Sequence, residues 1–331
     1  MNIPVVSIGL PVYNGENYIE KAINSILSQT FKDFELIISD NASTDNTMEI
    51  CKILSVKDRR IRYYRNKKNR GAAWNFNRVF QLARGKYFQW ACHDDVWIPT
   101  LVERCVEVLD NMPDVALCHT RTMFIDENGE PLRSIIGRPY LDDRNPCRRF
   151  RRYLKYHADP NECNPVLGLF RASILQDTPL IGSYPASDMI LLGEVALHGK
   201  FHEIPDCLFS RRDHHLTSVR ANPGWEDRAE WFNPTQKGKI QMPRWRWFFE
   251  WLKTILRSPI GIIDRIKCVL EVCKWAMWNR VNLEKEIIYF ARRGLAFQAE
   301  RVCKALRNPG WAAEQVWARL HLRNALPTRK H

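Results

Sequence analysis

No stretch of this sequence reaches the roughly 18–20 uncharged apolar residues that a membrane-spanning helix needs. The N-terminus shows no basic region followed by an apolar stretch and a small-residue cleavage site, so the expectation is a cytosolic protein. Ten cysteines are present, yet none forms a CxxC pair, which argues against a zinc ribbon or a dithiol redox centre. Cys51, Cys92, Cys105, Cys118, Cys268, Cys273 and Cys303 sit mostly in apolar, periodic stretches, where a reduced thiol packs as a small hydrophobe. A glycine-rich basic phosphate loop is missing as well, because Asn14-Gly15-Glu16 follows the first apolar run. No internal repeat and no nucleic-acid recognition motif stands out.

A chain of 331 residues with 45% hydrophobic content has material for one large domain and an appendage. The net charge of +13 is unevenly placed. Residues 237–331 carry 20 Lys/Arg against 7 Asp/Glu, whereas the preceding residues balance at 30 and 30. That asymmetry predicts two parts with different tasks. The first spans residues 1–225 and the second, basic and tryptophan-rich, spans 226–331.

Over the first 120 residues, short β-rich runs alternate with helical patterns. Strands are expected at Val5–Leu10, Phe34–Ser39, Ile61–Tyr64, Tyr87–Ala91 and Val115–His119. Asn17 and Glu20 read as a capping box before a helix whose inward stripe is Ile19, Ala22, Ile23, Ile26 and Leu27. Ser43 or Thr44 is expected to cap a second helix, Ala73–Ala83 reads as a third, and Pro99 opens a fourth that runs to about Asn111. Further on, Val166–Phe170, Phe201–Ile204 and Leu208–Arg211 read as strands, with a helix over Met189–His198 capped by Ser187. The alternation predicts an α/β fold with a mainly parallel sheet and helices on both faces. Ligands of such sheets bind beyond the carboxyl ends of the strands.

Three strand ends deliver polar clusters to that edge: Pro11-Val12-Tyr13-Asn14, then Asp40 through Asp45, then Cys92-His93-Asp94-Asp95. An aromatic ring, amides, hydroxyls and a carboxylate suit a planar base and a ribose. The adjacent acids Asp94 and Asp95 suit a hard divalent cation, because Mg²⁺ and Mn²⁺ favour oxygen ligands. Taken alone, the pair would more often be a helix-capping loop before Val96-Trp97-Ile98-Pro99.

The order of these motifs resembles family 2 of the inverting glycosyltransferases, which have the GT-A (Rossmann-like) fold. Val6 through Asn14 matches that family's opening strand and turn, and Ser39 through Asp45 its second-strand motif. Asn69-Arg70-Gly71 through Asn75 and Asn77 matches its third loop, and His93-Asp94-Asp95 its metal motif. The resemblance covers residues 1–220 or so. It implies a nucleotide-sugar donor, Mn²⁺ or Mg²⁺ as cofactor, and a carbohydrate or lipid-linked acceptor. Pro11, Tyr13, Asn14 and Asp40 would border the nucleotide, with Asp40 accepting a hydrogen bond from the base, and Arg70 and Asn75 would lie near the base or diphosphate. Asp94 would face the ribose and sugar, and Asp95 would ligate the metal. Asp188, in the first turn of its helix, would be the base that deprotonates the acceptor hydroxyl, with Glu194 behind it. In the Arg211–Ser218 segment, one of the two histidines, His215 ahead of His214, would be a third metal ligand.

From about Pro223 helical patterns take over, with nine of the twelve tryptophans. In Pro243–Arg257, Trp245, Phe248, Phe249, Leu252, Ile255 and Leu256 line one helical face. Ile262, Ile263, Ile266, Val269, Leu270, Cys273 and Met277 form a second stripe. Two readings of these stripes stand side by side: packing within a helical domain, and contact with an anionic membrane surface. Besides a transferase, the sequence leaves open a nucleotidyltransferase on a related sheet and a catalytically silent scaffold.

Overall fold

The computed structural model describes residues 3–134, 140–156, 158 and 164–307; the Asn308-Pro309-Gly310 break, Trp311 and Trp317 lie outside the described residues. Backbone contacts divide the chain into two compact units, residues 1–279 and 280–331. The change of pattern near residue 225 falls inside the first unit and marks a passage from sheet to helices.

The first strand, β1 (Val6–Val12), is buried along its whole length. It lies between β2 (Phe34–Asp40) and β4 (Tyr87–Trp90), parallel to both. A strand covered on two faces can be apolar throughout, as this one nearly is. β3 (Ile61–Arg65) adds to β2, also parallel. Among the described strands, this half of the sheet is parallel throughout.

The other half is mixed. β8 (Leu169–Arg171) joins β4 and β6 (Val115–Ile125) antiparallel to each, and β7 (Pro131–Ser134) folds back on β6. β9 (Lys200–Arg212) runs parallel to β6 and carries the two-residue β5 (Val96–Trp97) on its outer edge. The sheet order is β3-β2-β1-β4-β8-β6-β9-β5. The two short strands expected at residues 201–204 and 208–211 are one strand, whose register slips beside Thr120–Thr122 where the sequence breaks at Pro205.

Helices α1 (Ile19–Leu27), α2 (Thr47–Lys57), α3 (Ala72–Gln81) and α4 (Leu101–Asn111) connect the early strands. α1 buries the expected Ile19, Ala22, Ile23 and Ile26, but the capping box does not form: the chain enters through a turn at Tyr18, which makes no side-chain cap. Ser43 and Thr44 do not cap α2 either; Asp45 accepts the Thr47 N–H instead. α3 sits close on β1, since a Cβ at Gly9 would lie 2.6 Å from Val79. That contact places the N-terminal half of α3 over the strand tips.

Helices α5 (Pro146–Tyr156), α6 (Ala172–Gln176) and α7 (Ser187–His198) follow. Then come α8 (Ser218–Ala221), α9 (Trp225–Phe232), α10 (Pro243–Arg257) and α11 (Ile262–Trp278). The apolar stripes read on α10 and α11 are not, for the most part, the faces those helices bury. α10 buries Trp247, Trp251, Thr254 and Ile255, while Phe249 and Leu256 are exposed. Both stripes fit a 3.6-residue period, and the deciding contact is long-range. Gly193 on α7 leaves a slot in which a Cβ would stand 2.3 Å from the Trp251 ring, and a buried indole removes more apolar area than the competing side chains. α11 likewise buries Cys268, Val272 and Trp275 and leaves Ile262, Ile263, Ile266, Leu270 and Met277 exposed. The second unit contains α12 (Arg280–Arg307). Among the described residues, no helix is long and apolar enough to cross a membrane.

Candidate functional site

The tips of β1 and β2 end side by side in register, Val12 opposite Asp40. Beyond them the two loops fasten to each other. Asn14, at φ 54°, donates its N–H to Ser43 Oγ at 2.9 Å, and its Oδ1 accepts from Thr44 N at 2.8 Å. Gly15 N–H donates to Thr47 Oγ1 at 2.8 Å and Glu16 N–H to Asp45 Oδ2 at 3.0 Å. Side chains of the β2 loop thus satisfy the amides of the β1 loop, which leaves Tyr13 standing over a cleft of about 750 Å³. Pro11, Asn14, Asn69, Asn75, Asp94 and Asp95 share its walls.

Several expected donor contacts sit differently. Asp40 is fully buried. Its Oδ1 accepts from Ser43 N, and its Oδ2 accepts from the Tyr63 hydroxyl and Arg65 Nη1, each at 2.8 Å. Both oxygens are therefore engaged behind the wall, where they fix the loop; the expected contact to a base is corrected to this role. Asn75 faces the cleft only by its edge, because its amide braces α3 to Ser39 and to the Val12 carbonyl. Arg70 is exposed and lies over the Trp74 ring at 4.2 Å, outside the cleft lining, with its N–H on Asn41. Its expected approach to the base or diphosphate is not realised in this arrangement.

The acid pair occupies the turn between β4 and β5. Asp95 is 3% exposed and accepts the Arg212 N–H at 3.0 Å. Asp94 Oδ2 is 2.9 Å from His214 Nε2, and Arg212 Nε donates to the Asp94 carbonyl. Burial, then the charge of Asp94, pushes Asp95 up to about 8. Asp94 moves the other way: burial opposes ionisation, but His93 and His214 outweigh it. Two carboxylates held this close repel when both are ionised, and a cation removes that cost. Sγ of Cys92 and carboxylate oxygens of Asp94 and Asp95 all lie within 4.8 Å of one another. This donor set could hold a divalent ion.

Of the two histidines, the preferred His215 gives way to its neighbour. His215 is exposed, its Nδ1 3.1 Å from Glu127 Oε1, and it does not line the cleft. His214 is the buried one, and it packs on Tyr18 at 5.0 Å between centroids. The reason is the two-residue strand period continuing past β9: Arg212 and His214 point inward, Asp213 and His215 outward.

A second chamber of about 150 Å³ adjoins the cleft, and Phe76, Cys92, Arg211, Ser218 and Trp231 border both. Asp188 lines this chamber, not the cleft. Its helix is introduced by Ala186 in the left-handed region at φ 58°, a conformation that costs a non-glycine residue about 1–2 kcal/mol. Asp188 Oδ1 accepts the Met189 N–H at 2.9 Å. Glu194, one and a half turns on, is fully buried and paired with Arg257 and Thr254 on α10, so it ties helices together away from either cavity.

Sequence reasoning treated Cys92 mainly as packing and did not single out Trp231. Neither carries a local signal for its position; both become visible only when the loop after β4 and helix α9 are found lining the same two cavities.

Residues 7–178 match the family described as glycosyl transferase family 2. The chain is 39% identical over 132 residues to an uncharacterized glycosyltransferase of Rickettsia conorii, covering 40% of this chain and 22% of that protein. It is 33% identical over 159 residues to one of Methanocaldococcus jannaschii, covering 47% and 55%. Against an uncharacterized glycosyltransferase of Haemophilus influenzae it is 30% identical over 226 residues, covering 64% and 67%. The chain thus spans between about a fifth and two thirds of these relatives' lengths. In fold it is similar to S. aureus TarS in complex with UDP-GlcNAc, with TM-score 0.58, 15% identity and coverage of 82% and 72%. It is also similar to the mannosyltransferase PcManGT from Pyrobaculum calidifontis in complex with GDP-Man and Mn²⁺, with TM-score 0.52, 15% identity and coverage of 96% and 85%. With more than half its length inside the family match, and with a mixed α/β sheet of the GT-A kind, the chain belongs to glycosyl transferase family 2.

Proposed function

We propose that the chain is a glycosyltransferase that binds a nucleotide diphosphate sugar, UDP-linked in our reading, in the 750 Å³ cleft and transfers the sugar to an acceptor hydroxyl with inversion. The observation that supports this reading is that Asp94 and Asp95 line one of two adjoining cavities and Asp188 the other. Tyr13 offers a ring face to a planar base. Asp94 and Asp95 would hold Mn²⁺ or Mg²⁺; when bound, the ion offsets negative charge on the diphosphate. The Mn²⁺ held by the mannosyltransferase of similar fold supports that assignment.

Asp188 takes the proton from the acceptor hydroxyl as its oxygen bonds to the anomeric carbon. The bond from that carbon to the diphosphate oxygen breaks, and the nucleoside diphosphate leaves with the electron pair. Attack from the chamber side, opposite the cleft, inverts the anomeric centre. A base must be ionised to act, and the first turn of α7 favours the anion. Arg211, between the cavities, can offset charge on the leaving oxygen. Trp231 and Phe232 narrow the chamber and keep water from the anomeric carbon.

The acceptor would be a carbohydrate or a lipid-linked saccharide. The exposed row Ile262, Ile266, Leu270 and Met277 on α11, within the basic C-terminal third, supports seating on an anionic membrane surface. Sedimentation with vesicles containing phosphatidylserine tests this, and equal recovery with Ile266→Glu/Leu270→Glu in place of the native residues removes it. The central assay is nucleoside diphosphate release from a panel of UDP- and GDP-sugars, with and without Mn²⁺ or Mg²⁺. Release from at least one donor is expected, and silence across the panel with any acceptor refutes the reading.

A further inference from the structure

Cys92 stands at the junction of the two cavities and borders both. Its Sγ and one oxygen each from Asp94 and Asp95 form a three-atom cluster within 4.8 Å. Donor atoms bound to one ion at about 2.0–2.3 Å lie at most about 4.5 Å apart, so small side-chain rotations close this triangle on a cation. The remaining described cysteines show no such setting: Cys51, Cys105, Cys118, Cys147 and Cys268 are buried within the core packing, and Cys207 and Cys273 line neither cavity. β4 ends at Trp90, which packs on Phe88 and Phe170, and Cys92, Asp94 and Asp95 follow it onto the cleft wall.

Resting on the proposed metal-bound donor site, we propose that Cys92 Sγ is a ligand of the ion held by Asp94 and Asp95, and that the site therefore disfavours Mg²⁺ relative to ions that accept sulfur. Mg²⁺ demands oxygen ligands in octahedral array. Affinity for a mixed sulfur–oxygen set rises along the series from Mn²⁺ to Co²⁺, and thiolate favours the softer members. Binding replaces the S–H bond by a sulfur–metal bond, and the proton passes to solvent. The sulfur also sits on the side facing Asp188 and Arg211, so a ligated Cys92 forms part of the wall between donor and acceptor.

The test titrates Co²⁺ into the whole chain, alone and with UDP, following near-ultraviolet absorption and the heat of binding together. Wild-type protein should develop a thiolate-to-Co²⁺ charge-transfer band that saturates with bound metal. Cys92→Ser and Cys92→Asp should both lose the band, while Cys92→Asp still binds Co²⁺ by calorimetry. The ratio of Mg²⁺ to Co²⁺ dissociation constants should fall in Cys92→Asp by at least about tenfold, the scale on which even outer ligand changes act. Co²⁺ bound to wild type without the band, or a band that survives in Cys92→Ser, overturns sulfur ligation and leaves the donor site standing. Failure of wild type to bind any divalent ion, with or without UDP, overturns both proposals. The wild-type spectrum decides the matter even where a variant does not fold.

Discussion

Replacing Asp95 by Asn should move the protein's stability in opposite directions with and without ligand. In the free chain Asp95 is buried against the charge of Asp94, which holds it near about 8. An acid kept that far above its ordinary range costs the folded state about 1.4 kcal/mol for each pH unit between that range and neutrality. Over the roughly three units up to pH 7 this is about 4 kcal/mol at most. Asn keeps the shape, and its carbonyl can still accept the Arg212 N–H that Asp95 Oδ1 now receives. The metal-free variant should therefore melt higher than wild type, by several degrees, since about 1 kcal/mol corresponds to roughly 2–4 °C in domains of 150–250 residues. With Mn²⁺ and UDP the order should change. A ligand at about 100 times its dissociation constant stabilises wild type by about 2.7 kcal/mol, and the variant, lacking one carboxylate, should show little of that gain. Scanning calorimetry at pH 7, run with and without Mn²⁺ and UDP, reads both effects. A free variant that melts below wild type would refute the repulsion argument, and an undiminished ligand shift would refute the metal assignment.

Asp188→Asn should lower turnover by about 10²- to 10⁴-fold while leaving donor binding intact, measured by single-turnover transfer beside calorimetric titration; wild-type turnover would remove Asp188 as base. His214→Ala should weaken Mn²⁺–UDP binding through loss of the 2.9 Å contact to Asp94, and His215→Ala should leave it unchanged; the reverse order would reinstate the exposed residue. Glu35, a buried residue of β2 opposite Ser7 of β1, accepts from Ser7, Arg62 and Arg84. Burial disfavours its charged form, but Arg84, Ser7 and Arg62 outweigh that and hold its titration below the ordinary carboxylate range. Its contribution is therefore present above about pH 4.5 and is lost as pH falls through its lower folded value. Glu35→Gln should flatten the acid limb of a pH–stability profile and destabilise the chain by about 1–3 kcal/mol near neutrality, read by urea unfolding.

Much of the parallel half of the sheet was legible from the chain alone. Val6–Val12 and Phe34–Asp40 are apolar runs bounded by polar turns, and a 2.0 or 3.6 residue period is a local property that needs no partner to be read. The acid pair was legible for the same reason, since two adjacent carboxylates at a strand end are visible in any window. Mixed pairing in the other half was not. β8 is three residues long, and its place between β4 and β6 depends on contacts to residues about 50 and 80 positions away.

The sequence by itself determined which side chains reach the carboxyl edge of the sheet: Tyr13, Asn14, Asp94 and Asp95 follow strands whose hydrophobicity fixes their direction. Tertiary structure decided what each one touches there. Arg212 meets Asp95 across 117 residues, and that pairing selects His214 over its neighbour. Tyr63 and Arg65 from β3 take up both oxygens of Asp40. A glycine on α7 chose the buried face of α10 by admitting Trp251. Periodicity states only that a residue faces inward, whereas partner and burial depend on shapes arriving from distant segments, which local pattern does not encode.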